Sequence, residues 1–136
     1  MDLGVFKSSG LIVSTGTGSS GWLYSARQLT VQQLHDVQKI LGSLNVDDYT
    51  NDKAAQELSE ETIFSRTDRK MYYFVREAFS KISDSEGFCN RLKITSEMLQ
   101  GKVVIDAHYN RDLEIGDSFE LSSPPKYNLR TIQLEI

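Results

Sequence analysis

The spacing of apolar residues changes near Lys70, from a helical period before it to a strand period after it. Residues 11–13 form a short, partly β-branched apolar run next to Gly10, which predicts a buried strand. From Trp22 apolar residues recur every three or four positions, which predicts one helix of about five turns packed against a sheet. The stripe on this helix consists of Leu23, Ala26, Thr30, Leu34, Val37, Leu41 and Leu44.

A second, shorter helix is predicted over residues 54–63. The polar, turn-rich residues 45–53 separate it from the long helix, and Thr50 or Asn51 is placed to act as its N-cap. The region before Lys70 is therefore expected to hold one long and one short helix.

Strand patterns dominate the remainder of the chain. Short runs that are apolar or alternate with period two are separated by Gly, Pro, Asp and Ser turn residues. The predicted strands are 71–75, 91–95, 102–105, 118–121 and 129–134. Their spacing, near ten residues, is typical of an antiparallel sheet or sandwich. We therefore expect an α+β fold with a mainly antiparallel sheet, in a single domain over residues 1–136.

Composition excludes several classes of function. The chain has 15 Lys and Arg against 19 Asp and Glu, a net charge of −4, which argues against a dedicated nucleic-acid binder. It has one cysteine, Cys89, and two histidines, His35 and His108, so we expect no internal disulfide and no metal site. No apolar run approaches the roughly 20 residues that span a bilayer, so no membrane partner is expected.

The candidate chemistry lies in residues 15–22, T-G-T-G-S-S-G-W, between the first predicted strand and the long helix. The start of a helix offers free backbone N–H groups and the positive end of the helix dipole. Glycines let a ligand approach the backbone. The hydroxyls of Thr15, Thr17, Ser19 and Ser20 suit ribose, phosphate or amide oxygens. The segment is thus a candidate nucleotide-binding loop.

Other interpretations of this loop remain open. Gly16, Gly18 and Gly21 match the G-x-G-x-x-G fingerprint of Rossmann folds, but that fold needs a second parallel strand directly after the helix. A polar loop, a second helix and antiparallel-looking strands follow instead, so a Rossmann-like oxidoreductase ranks third. Ser/Thr/Gly loops also cap helices without any ligand. The second hypothesis is therefore a non-catalytic module that binds itself or a partner.

Asp106 and His108 are a further candidate for chemistry. They are two positions apart and would share one face of a strand, where they could act as an acid–base pair. Asp106 is equally suited to a hairpin turn. We favour the hairpin interpretation.

Two separate stretches resemble NAD kinases. Residues 9–22, S-G-L-I-V-S-T-G-T-G-S-S-G-W, resemble the family segment D-G-L-I-V-S-T-P-T-G-S-T-A-Y, and T-G-T-G-S followed by Trp is similar to the mitochondrial branch. Residues 103–107 and 113–121 resemble the family's V-x-D-G and L-x-x-G-D-x-V-x-I hairpins, and 128–132 its closing L-R strand. The resemblance covers the C-terminal third to half of such an enzyme.

This resemblance implies a function. NAD kinases transfer the γ-phosphoryl group of ATP, with Mg²⁺, to the 2′-hydroxyl of the NAD adenosine ribose, giving NADP. By position, Ser20 matches a Thr that contacts NAD, and Trp22 matches a Tyr that packs against the dinucleotide. Stacking of this kind contributes about 1–3 kcal/mol per base. The implied NAD-binding residues are Thr17, Gly18, Ser20, Gly21, Trp22 and Ser25. A homodimer and a mitochondrial location, otherwise cytoplasmic, are also implied.

The chain also departs from the family. Ser9 stands where most members have Asp, and Gly16 replaces Pro. The catalytic Gly-Gly-Asp-Gly loop of the family is absent from residues 1–136. Phosphoryl transfer needs a metal and a base beside the attacking hydroxyl. We therefore assign no catalytic residue and expect the chain to be inactive alone. The early position of the motif leads us to expect a fragment, a short isoform or a truncation.

Overall fold

The chain divides into two compact units, Met1–Cys89 and Asn90–Ile136. The computed structural model describes residues 2–40, 48–79 and 84–125. Both units contain antiparallel strands and the first also contains helices, which confirms the predicted α+β fold. The single domain over 1–136 stays a prediction. The strand predicted at 129–134 lies outside the described residues, as do Leu41 and Leu44 of the predicted stripe.

The sheet of the first unit has three strands in the order β1-β2-β3, and both pairings are antiparallel. The strands are β1 (Gly10–Thr15), β2 (Met71–Arg76) and β3 (Glu86–Cys89). β1 and β2 are separated by helices yet run antiparallel. A Rossmann unit would place parallel strands on either side of its helix, so the oxidoreductase alternative is wrong.

The central strand β2 carries the core of the first unit. Met71, Tyr73 and Val75 alternate with less buried residues and are 5%, 7% and 7% exposed. The Tyr73 ring lies over Gly87 of β3, where an added Cβ would lie 3.4 Å from the ring carbon Cε1. The Tyr73 hydroxyl donates to the carbonyl of Asp84 at 3.2 Å. The aromatic run thus forms a strand with one buried face, as its pattern predicts.

The single long helix predicted from Trp22 is wrong. A kinked turn (Ser19–Leu23), in which Gly21 lies outside helical geometry, leads into α1 (Tyr24–Arg27). The chain leaves helical geometry again at Gln28, and α2 (Val31–Ile40) follows. Leu23 is 1% exposed, but Val37 of the same predicted stripe is 51% exposed, so the stripe is not one continuous buried surface. α2 packs against α3 (Asp48–Glu60).

The break before α2 has a clear local cause. The backbone N–H of Gln33 donates to Thr30 Oγ1 at 3.2 Å, and that of Thr30 donates to Gln33 Oε1 at 2.8 Å. This reciprocal pair is a capping box, which starts a helix. The signal, Thr followed three residues later by Gln, is present in the sequence and could have located the start of α2.

α3 begins earlier than the sequence pattern predicts. It starts at Asp48, so Thr50 and Asn51 lie inside the helix, and their predicted role as N-cap is wrong. Ala55 and Ser59 are buried on its inner side, where the Ser59 hydroxyl donates to the Ala55 carbonyl at 2.8 Å. This bond satisfies a polar group that would otherwise be costly to bury.

In the second unit, the described residues 90–125 form two separate antiparallel pairs. β4 (Arg91–Thr95) pairs with β7 (Ser118–Ser122), and β5 (Gly101–Ile105) pairs with β6 (Tyr109–Leu113). β4, β5 and β7 agree with the predicted runs, whereas β6 and β3 were not predicted.

Met98 is 50% exposed, with its methyl group over Gly101. The turn between β5 and β6 decides between the two interpretations of Asp106 and His108. Asp106 and Ala107 have φ of 48° and 59° and form the turn between β5 and β6. Asp106 and His108 therefore do not share a strand face, which excludes the acid–base interpretation and confirms the hairpin. Among the helices of the described residues, none is long and apolar enough to cross a membrane.

Candidate functional site

The segment after β1 is a series of tight turns closed by its own backbone. The N–H groups of Gly18, Ser19 and Gly21 donate to the carbonyls of Thr15, Gly16 and Gly18 at 3.0, 3.4 and 3.0 Å. The α1 helix that follows has only four residues. The expectation that this loop opens a long helix with free N–H groups is therefore wrong.

The buried side chain of Ser19 holds the loop in place. It is 0% exposed, its hydroxyl donates to the Gly16 carbonyl at 2.8 Å, and it accepts from the backbone N–H of Phe64 at 3.2 Å. The sequence suggested Ser19 as one of four hydroxyls facing a ligand. Its position is instead structural, since both hydrogen bonds tie the loop to the segment after α3.

Gly16 is required by close backbone packing. It is buried, and an added Cβ would lie 2.6 Å from the Ser65 carbonyl carbon and 3.0 Å from the Arg66 nitrogen. Since backbone atoms cannot be displaced cheaply, only glycine fits. The proline that the similar family segment has at this position would meet the backbone of Ser65 here.

Gly21 has the opposite environment. An added Cβ would meet no atom within 4 Å, so the position has room for the Ala of the similar segment. Gly18 is intermediate, since its added Cβ would lie 2.9 Å from Ser14 Oγ, a movable side-chain atom.

The six residues expected to bind NAD lie on the outer side of one segment, residues 17–25. All six are exposed, and the Trp22 side chain is 61% exposed. Within the described parts of the chain, the hydroxyls of Thr17, Ser20 and Ser25 form no hydrogen bond. An exposed aromatic ring beside hydroxyls without partners offers stacking and hydrogen bonding to a polar, ring-containing ligand.

Arg27, two residues beyond Ser25, makes contacts that sequence reasoning did not predict. Arg27 Nε lies 2.7 Å from Glu86 Oε2, and Nη1 donates to Thr62 Oγ1 at 3.0 Å. Its guanidinium carbon also lies 4.9 Å from the centre of the Tyr72 ring. These contacts join α1 to the sheet. Glu86 lies 59 positions after Arg27 in the sequence. No local pattern could have indicated them.

An aromatic group lies beside this ion pair. Phe88 makes edge contacts with Tyr72 at 4.9 Å and Phe64 at 5.2 Å between ring centres, and Lys70 Nζ lies 3.9 Å from the centre of its ring. Burial raises the pKa of Tyr72 to about 12, an effect opposed by Arg27 and reinforced by Glu86. Tyr72 is therefore a neutral hydroxyl at physiological pH and has a packing role.

The described residues contain no group of three or more His, Cys, Asp or Glu side chains that could hold a metal ion. Cys89 is half-buried, and burial raises the pKa of its thiol, so it is not poised as a thiolate.

Comparison with known proteins gives a consistent result. No protein-family model matches the chain. It is 28% identical over 125 residues to "NAD kinase 2, mitochondrial" of Xenopus tropicalis, covering 85% of this chain and 27% of that protein. It is 25% identical over 138 residues to the human protein of the same name, covering 95% of this chain and 31% of that protein. The chain thus spans less than a third of the length of these relatives. The similarity supports an NAD kinase-like domain.

Proposed function

We propose that this chain is the NAD-binding portion of an NAD kinase. Such an enzyme transfers the γ-phosphoryl group of ATP to the 2′-hydroxyl of the NAD adenosine ribose and yields NADP. The observation that carries the proposal is the set of six exposed residues on segment 17–25, in a chain similar along 85% of its length to a mitochondrial NAD kinase. A mitochondrial location and a homodimer belong to the same proposal.

Each exposed residue has a role in this proposal. Trp22 stacks on a ring of the dinucleotide, because its indole is largely free of protein contacts and every base has a face suited to stacking. The hydroxyls of Thr17, Ser20 and Ser25 bond to ribose or amide oxygens. Gly18 and Gly21 let the ligand approach the backbone.

The chemical step lies outside this chain. It has no Gly-Gly-Asp-Gly segment, and no described carboxylate cluster could hold a metal ion. We therefore propose that the chain binds NAD without phosphorylating it. NADP formed by the purified chain with ATP and Mg²⁺ would contradict this.

The test uses Trp22, the one tryptophan of the chain, as its own reporter. NAD is titrated into the protein while Trp fluorescence is followed, with ATP as a control ligand. We expect saturable quenching by NAD that Ser20→Ala weakens about fivefold, the effect of losing one hydrogen bond of about 1 kcal/mol. The matched control Ser122→Ala, at an exposed position on β7, should bind as wild type.

A flat fluorescence response would not suffice to reject the proposal, since stacking can leave emission unchanged. The same titration is therefore repeated by calorimetry. No heat and no quenching together would contradict NAD binding by this chain.

A second candidate function is a non-catalytic, self-associating module. The second unit favours it, because within its described residues, 90–125, each sheet has two strands and therefore edges that no described strand pairs with. Apolar side chains are exposed on the same unit: Leu99 at 84%, Val104 at 44%, Ile105 at 49% and Ile115 at 60%. Because the first proposal also includes a homodimer, only self-association without NAD binding would favour this candidate over it.

A further inference from the structure

A short basic segment follows directly on the backbone that packs against Gly16. Residues 66–70, R-T-D-R-K, carry three positive charges and one negative charge in a chain whose net charge is −4. The segment links the end of the helical region to β2.

Local hydrogen bonds hold this segment beside the loop. Phe64 N–H donates to Ser19 Oγ, and the Ser65 and Arg66 backbone fills the space next to Gly16. A turn then follows, in which Asp68 N–H donates to the Ser65 carbonyl at 3.1 Å. The backbone of Arg66 is thus held against the candidate binding loop.

The charged side chains of this region differ in whether they already form ion pairs. Lys70 pairs with Asp68 at 3.3 Å, and Arg27 pairs with Glu86. Arg66 and Arg69 are exposed and form no ion pair with any residue that the structure describes. Arginine presents a planar fork of donors that binds phosphate oxygens in pairs.

The loop itself lacks a source of positive charge. Its N–H groups at Gly18, Ser19 and Gly21 donate to loop carbonyls, and its exposed hydroxyls are neutral. A dinucleotide carries a pyrophosphate with two negative charges. A loop that binds such a ligand therefore needs a cation from a neighbouring segment.

We propose that Arg66, assisted by Arg69, binds the phosphate groups of the nucleotide held on segment 17–25. The proposal rests on the proposed function in one respect, namely that the nucleoside part lies on the loop. In this proposal the Arg66 guanidinium forms a bidentate contact with the pyrophosphate, and Arg69 adds a second positive charge.

The experiment measures binding of NAD and of inorganic pyrophosphate by calorimetry. Variants Arg66→Ala and Arg69→Ala are compared with wild type and with Arg66→Lys. We expect Arg66→Ala to weaken NAD binding about tenfold, as for one charge-assisted contact, and to abolish pyrophosphate binding. Arg66→Lys should restore part of the affinity, because it keeps the charge and loses the fork.

The matched control is Arg111→Ala, which removes an exposed arginine from β6 of the second unit. It should bind both ligands as wild type does. If it weakens binding as much as Arg66→Ala, the effect is general electrostatic attraction and the inference is overturned.

The outcomes separate this inference from the proposed function. NAD binding that is unchanged in Arg66→Ala and Arg69→Ala overturns the inference and leaves the function standing. Pyrophosphate binding that depends on Arg66, without any NAD binding, supports the anion site and contradicts the function. Failure of the wild-type chain to bind either ligand overturns both.

Discussion

Two adjacent serines show how much single residues differ in this loop. Ser19 is fully buried and bonded on both sides of its hydroxyl, whereas Ser20 is exposed. The sequence resemblance placed Ser20, not Ser19, among the NAD-binding residues, and the structure leaves Ser20 accessible for that role. Residue type alone could not separate them, because the difference arises from contact with Phe64, 45 positions away.

At the residue scale, Gly16→Ala should be strongly destabilising. The added methyl group collides with the Ser65 backbone, and overpacking of this kind costs about 1–3 kcal/mol or more. Urea denaturation of wild type and variant measures the loss in free energy of unfolding.

The control for this substitution is Gly10→Ala on β1. No atom lies within 4 Å of its added Cβ, so its unfolding free energy should change by less than about 0.5 kcal/mol or rise slightly. Equal stability of Gly16→Ala and Gly10→Ala would show that the Ser65 backbone can move aside.

At the scale of elements, α1 is too short to be stable alone, so its contacts decide its position. Arg27 supplies an ion pair to Glu86, a hydrogen bond to the buried Thr62 and a stack on Tyr72. We expect Arg27→Met to lower the unfolding free energy by about 1–3 kcal/mol, mostly because the Thr62 hydroxyl loses its partner.

Arg91→Met is the matched control for Arg27→Met. Arg91 pairs with Glu120 at 2.6 Å, but its side chain is 73% exposed, against 25% for Arg27. A surface pair contributes between about 0 and 1 kcal/mol, so this variant should unfold almost as wild type does. Equal losses in both variants would mean that burial adds nothing to the Arg27 contacts.

The elements differ in how far the sequence could predict them. β2, β4, β5 and β7 were predicted because apolar or alternating side chains fit a pleated sheet. β6 reads Y-N-R-D-L and is exposed at all but its last residue, so it has no alternating pattern. β3 is short and contains Gly87, and its strand geometry comes from pairing with β2.

At the scale of the whole molecule, the strand edges favour association. Two-stranded sheets are only marginally stable in water, and those of the second unit carry exposed apolar side chains. Light scattering after size-exclusion chromatography should therefore give a mass above the 15.4 kDa of one chain at high concentration.

A lysine on the exposed face of β5 tests which surface associates. Val104→Lys should shift the mass toward 15.4 kDa, because charge on a strand edge opposes pairing. Val5→Lys, at an exposed valine of the first unit, should not. A monomer at every concentration would contradict self-association altogether.

At this scale the α+β fold class and the antiparallel direction of the strands could be predicted, because both follow from local sequence patterns. The division of the chain at residue 89 could not, because it depends on which strands pair. The candidate site is intermediate: the resemblance indicated segment 17–25, whereas the contacts of Ser19, Gly16 and Arg27 depend on distant residues.

The two buried hydrogen bonds of the Ser19 hydroxyl have a consequence for the rate of ligand binding. A loop whose shape is set by its own chain need not rearrange when a ligand arrives, so little conformational freedom is lost in the encounter. Association would then proceed in one phase, at a rate set by diffusion and orientation. Differences in affinity among ligands would appear as differences in residence time.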